Sequence, residues 1–155
     1  MDAAQVALEV RDRLEIADAI YRFGAGIDLA DEELFASAFA PAAIVDATSS
    51  NKLWGLNYPV FQGLDVIVEL FKNTVFLLDT THAISNPRIK INGDTAKLYV
   101  IAEAQHLPPD DHSRHCLMKS QYDVSLVRDG DRWVINHLII NGVWFTGETS
   151  VLTGK

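Results

Sequence analysis

Asp28, His82 and His106 are the side chains here whose types could carry chemistry, with Tyr21, Ser120 and Tyr122 as polar companions. Histidine titrates near neutral pH. An aspartate that takes the proton on one ring nitrogen orients the ring and raises the basicity of the other nitrogen. The pairing of Asp28 with His82, which sits in "TTHAISNP", would be general acid–base chemistry of that kind. Each residue also has a plainer reading. His82 and His106 could be hydrogen-bonded core histidines, and Asp28 a helix-end residue ahead of Asp31. Ser120 could bond its own backbone, and Tyr122 could be core with its hydroxyl at a rim. Such groups are costly to bury without a task, so their convergence on inward faces would favour function. Two histidines and an aspartate could also hold a metal. No HxH, HxxxH or CxxC spacing occurs, so no metal is expected, and no cofactor either. Gly-rich phosphate loops, a GxSxG elbow and a cysteine-nucleophile context are missing too.

Positioning these groups takes helices and a sheet. From Val6 to about Ile27 apolar residues recur at three and four. Leu14, Ala17, Tyr21, Gly24 and Asp28 form one stripe; Ile16, Ile20, Phe23 and Ile27 form the next. The first stripe is expected to face the core, with Tyr21 and Asp28 roughly 10 Å apart along the axis. Asp28 falls near the helix C-terminus, where the macrodipole disfavours a carboxylate, so it needs a partner. "DEELFASAF" predicts a second helix capped by Asp31 and stopped by Pro41. "AAIVDAT" fits a short strand, and Leu64 to about Val75 a third amphipathic helix. Residues 80–91, 95–107, 115–128 and 133–145 predict four strands, joined in turn by Asn92-Gly93-Asp94, the loop "LPPDDHSRH" and Asp129-Gly130-Asp131.

Strand parity then sorts side chains. On 95–107 the even residues, Ala96 to His106, form the apolar face. On 115–128 the even face runs Cys116, Met118, Ser120, Tyr122, Val124, Leu126. His82 shares a face with Ile84; Asn86, Arg88 and Lys90 follow on that side unless Pro87 marks a bulge or an edge. His112 and His115 are expected in solvent, Cys116 in the core, and His137 stays ambiguous. Helices followed by a long antiparallel meander predict an α+β fold, helices packed on one face of a curved sheet.

Composition narrows the function classes. A chain of 155 residues suits one domain, and 48% hydrophobic with 22% charged residues is ordinary for a globular protein. The net charge of −8 argues against nucleic acid. No apolar run is long enough for a membrane span, and the charged N-terminus has no signal-peptide core. A single cysteine, Cys116, excludes an internal disulfide and fits a reducing compartment, so a cytoplasmic location is expected.

Several runs resemble the nuclear transport factor 2-like superfamily, in particular its SnoaL-like branch: "GIDLADEELFASAFAP", "THAISNPRIKINGDTA" and the terminal "DGDRWVINHL" with a following Trp and Gly. The resemblance spans essentially the whole chain and implies a cone-shaped α+β barrel. This fold hosts enzymes and binding modules alike. Within the branch the chain is most similar to the scytalone dehydratases, whose Lys-Leu-Trp run resembles that of Asn51–Trp54. The resemblance places a catalytic aspartate at Asp28, active-site histidines at His82 and His106, and a serine at Ser120. Trp54, Tyr21 and Tyr122 then join Ser120 as substrate-binding residues. The family's tyrosines have no counterpart at Ile27 and Asp46, and its asparagine is Tyr122 here. The Asp–His pair also resembles that of the hexachlorocyclohexane dehydrochlorinases, whose further cationic residues are Phe23 and about Leu138 here. The implied activity is a cofactor-independent dehydratase-type lyase acting on a cyclic or polyketide-like molecule. An isomerase or cyclase of the SnoaL type, or a binding and assembly module, is the alternative. The outer sheet strip Leu117, Val127, Ile139, Val143 and Trp144 is expected to make a homo-oligomer, dimer or trimer.

Overall fold

The computed structural model describes residues 1–154. Helix α1 spans Ala3–Asp28, with Asp2 accepting from the Gln5 amide while the Gln5 side chain accepts from the Asp2 amide, a capping box. Asp31 caps α2 (Glu32–Ser37) by accepting from the Leu34 amide. Strand β1 (Phe39–Asp46) follows, then the one-turn α3 (Asn51–Trp54), the short β2 (Phe61–Gln62) and α4 (Leu64–Lys72). The last half is a meander: β3 (Asp79–Asn92), β4 (Thr95–Leu107), β5 (Cys116–Asp129) and β6 (Arg132–Gly147), with a 3₁₀ turn over Thr149–Thr153.

The six strands form one sheet in the order β2-β1-β6-β5-β4-β3. Only the β1–β6 pair is parallel. This is the expected α+β architecture. All even residues of β4 from Ala96 to His106, and of β5 from Cys116 to Leu126, are buried. Ile16, Ile20, Phe23 and Ile27 of α1 pack against this face with at most 2% exposure. No helix among the described residues is long and apolar enough to cross a membrane.

Polar clamps hold α1 in place. Buried Arg22 donates to the Asp18 carboxylate, to the Ser37 carbonyl and hydroxyl, and to the Trp133 carbonyl at 2.9 Å. Asp12 receives both Arg128 guanidinium nitrogens, at 2.9 and 2.8 Å, and the Trp133 indole N–H at 3.1 Å. The Arg128 hydrogen bond is the largest influence on Asp12 and holds its pKa down to about 2. A side chain at Gly26 would meet the Phe35 backbone at 2.6 Å, so glycine sets how closely α1 and α2 approach.

Several expectations need correction. Tyr21 does not face the core: it is 43% exposed, and Leu14 is 67% exposed. The buried stripe is Ile16–Ile20–Phe23–Ile27, and Tyr21 lies one residue, about 100° of helix rotation, off it. On β3 a register shift between Ser85 and Arg88, with Asn86 at φ 57°, reverses the parity. Ile89 and Ile91 turn inward, while Arg88 and Lys90 are exposed. Helix α2 ends at Ser37, short of Pro41, which lies inside β1 where its register with β6 shifts. Helix α4 ends at Lys72, and a separate 3₁₀ turn covers Val75–Leu77. His112 is exposed but paired with Asp79 at 2.7 Å. His137 is half-buried, with Nε2 lacking a partner among the described residues.

Candidate active site

A glycine eases the approach of the end of α1 to β3. Gly24 lies one turn before Asp28, and a Cβ there would sit 3.2 Å from the His82 Cβ and 3.1 Å from Ile84 Cδ1. Its missing side chain lets the C-terminal turn of α1 settle on β3. The last residue of α1, Asp28, then reaches His82, 54 positions along the chain. The His82 Nδ1 lies 2.6 Å from Asp28 Oδ1. The His82 backbone amide donates to Oδ2 at 2.7 Å, and the Thr80 hydroxyl donates to Oδ1 at 2.9 Å. These donors answer the unfavourable position of a carboxylate at a helix C-terminus.

Burial would raise the Asp28 pKa. The hydrogen bonds from the His82 ring and amide, the attraction of His82 and the Thr80 bond outweigh it, so the pKa lies below the usual carboxylate value. An ionised Asp28 only accepts, so in the neutral form of the His82 ring the proton sits on Nδ1 and the lone pair on Nε2. The His82 side chain is 4% exposed.

His106 is locked in the same tautomer by different means. Its Nδ1 donates to the Cys116 carbonyl at 3.0 Å, its register partner on β5. Burial dominates its titration, partly offset by that bond, and drives its pKa down to about 4. His106 is therefore neutral at pH 7, also with Nε2 unprotonated. The two imidazole rings stand nearly perpendicular, with centroids 6.0 Å apart.

Both rings line a cavity of about 110 Å³. Ser120, Tyr122 and Trp54 line it as well, while Tyr21 does not. Burial pushes the Tyr122 phenol upward, keeping it a neutral donor, and raises that of Tyr58, which also borders the cavity. The Trp54 indole nitrogen is buried without a partner among the described residues, and a Cβ on Gly142 would approach it to 2.8 Å. The walls are apolar: Phe23, Phe61, Leu70, Phe71, Val75 and Leu152. Cys116 is fully buried, and burial drives its thiol to about 11, so it is no nucleophile at neutral pH.

Sequence reading missed Thr80 and Gly24. Thr80 was within reach, because it shares the inward parity of His82 two residues on. A glycine inside a helix, which costs about 1 kcal/mol relative to alanine, is itself a sign of close packing. The cavity walls from Tyr58 to Val75 carried no such sign.

Comparison with known proteins accords with this architecture. The SnoaL-like domain model matches residues 8–139. The chain is 33% identical over 147 residues to terrestric acid biosynthesis cluster protein E of Penicillium crustosum, covering 90% of this chain and 88% of that protein. A crystal structure from Novosphingobium aromaticivorans with a provisional scytalone dehydratase assignment superposes with a TM-score of 0.78 at 14% identity, covering 92% and 91% of the two chains. Hexachlorocyclohexane dehydrochlorinase LinA-type3 of Novosphingobium barchaimii gives 0.76 at 17% identity, covering 91% and 92%. At such identities the two structures attest the fold alone.

Proposed function

The chain belongs to the SnoaL-like domain family, and from that premise we propose that it is a cofactor-independent acid–base enzyme, a dehydratase-type lyase acting on a cyclic or polyketide-like small molecule. The observation that carries this reading is the Asp28–His82 pair, tied at 2.6 Å with the ring lining a mostly apolar cavity.

Asp28 fixes the ring, and His82 Nε2 removes a proton α to a carbonyl. The electron pair of the broken C–H bond moves into the enolate, whose oxygen the Ser120 and Tyr122 hydroxyls hold. As the enolate collapses, the bond to a β-hydroxyl breaks. The departing oxygen takes the proton from His82 Nε2, leaving as water and restoring the neutral imidazole beside the Asp28 carboxylate. Positioned acid–base catalysis of this kind contributes roughly 10²–10⁴-fold in rate. A proton returned to another carbon instead would make the same site an isomerase.

The relative from a biosynthesis cluster supports a small-molecule substrate. The test is incubation with a panel of cyclic β-hydroxy ketones in deuterium oxide. A product lighter by one water, formed by wild type and not by His82→Ala, is expected. Deuterium uptake without water loss would replace the lyase reading by the isomerase one. The chain is also proposed to self-associate through its outer sheet face, where Val143 and Trp144 are about half exposed. A monomer at all concentrations in size-exclusion chromatography would remove that part.

A further inference from the structure

We propose that His106 reads a hydroxyl or enol hydrogen on the ligand, so that the cavity selects a single ring carrying an O–H as well as its carbonyl. This rests on the cavity being the ligand site and on no chemical step.

The backbone decides the role of His106. Its Nδ1–H is committed to the Cys116 carbonyl, on the directly opposed residue of the neighbouring strand. Only Nε2 remains, and in the neutral ring that nitrogen accepts. His106 therefore cannot protonate a leaving group in this state. His82 likewise presents a lone pair. The cavity thus sets two acceptors 6.0 Å apart, ring centre to ring centre, against the hydroxyl donors of Ser120 and Tyr122. An acceptor-only ligand would leave the His106 lone pair unanswered in a buried site, which is where discrimination becomes large.

The floor decides the shape. Ala104 is the register partner of both His82 and Met118, and Ala102 of both Ile84 and Ser120. Of the two, Ala104 lines the cavity, so a buried methyl group lies between His82 and Met118 on its wall. The cavity of about 110 Å³ is smaller than the roughly 150 Å³ that admits benzene in an engineered protein core. The enclosed space thus takes no more than one ring beside Ala104, and any larger part must extend toward the side bordered by Tyr58, Phe61 and Val75, which are half-buried.

Phenol and anisole test this, since they share a ring and differ in the O–H. Binding to the full chain is measured by calorimetry for wild type, His106→Phe and His82→Phe. Wild type is expected to bind phenol at least as tightly as anisole, although phenol is the more strongly hydrated. In His106→Phe the phenol-to-anisole affinity ratio should fall about tenfold, the size of one neutral hydrogen bond. In wild type, independent of any variant's folding, the ¹⁵N resonance of His106 Nε2 should move with phenol and not with anisole. A ratio unchanged in His106→Phe, loss confined to His82→Phe, a nitrogen shift at His82 alone, or no binding of either probe would each overturn the proposal. Turnover plays no part in these measurements, so they stand apart from the lyase reading.

Discussion

His82 meets Asp28 twice, through its ring at 2.6 Å and through its own backbone amide at 2.7 Å. The two contacts use different carboxylate oxygens, so the aspartate fixes both strand position and ring orientation. Asp28→Asn should keep the fold and lose the tautomer. The asparagine amide would donate to Nδ1 and force the proton onto Nε2. Long-range ¹⁵N–¹H NMR would report the switch, and the proposed activity should fall roughly 10²–10⁴-fold. An unchanged tautomer would refute the assigned role of Asp28.

Stability should depend on pH through His106. Its pKa is about 4 in the fold and near 6.5 in the unfolded chain. Between those values the unfolded chain binds a proton that the native state refuses. The contribution is therefore complete above pH 6.5 and is lost as the pH falls toward 4. The full difference is worth about 3 kcal/mol. Urea titrations at pH 7, 5.5 and 4.5 would follow it, and His106→Gln should flatten the slope in that window. The Asp28 titration acts lower, below the normal carboxylate value, and leaves this window untouched.

Ala104→Leu should fill the cavity floor. Binding of one-ring ligands should disappear, while the Asp28–His82 hydrogen bonds persist in the NMR spectrum. Filling existing space should leave stability unchanged or raise it by about 1 kcal/mol, the usual exchange between function and stability. Retained affinity for phenol would show that the ligand lies elsewhere.

Asp12→Asn tests the clamp far from the cavity. It leaves the partly buried Arg128 guanidinium with one fewer carboxylate, and weakens the Trp133 bond. A loss of about 2 kcal/mol in chemical denaturation is expected, with phenol affinity unaltered. A neutral effect would make the ion pair dispensable.

The legible part of this protein is its local periodicity. Alternation along 95–107 and 115–128 pointed His106, Ser120 and Tyr122 inward, and the structure has all three buried. Asn92-Gly93-Asp94 and Asp129-Gly130-Asp131 marked the hairpins that align those strands, because their turn chemistry lies within a few residues. On β3, by contrast, alternation alone put Arg88 and Lys90 on the His82 side. The bulge at Asn86-Pro87 turned them out, since one irregular residue reverses every side chain beyond it.

Chain-distant geometry was decided only by tertiary packing. Two apolar stripes ran along α1, and helical period alone could not choose the buried one. The choice fell to the clamps at Asp12 and Arg22 and to the close approaches at Gly24 and Gly26, which rotate Tyr21 to the surface and bring Asp28 to His82. The sequence by itself determined which residues of β4 and β5 face inward and that an aspartate and two histidines were available. The rotation of α1, the contact across 54 residues and the size of the cavity arise from packing between elements, which no local period encodes.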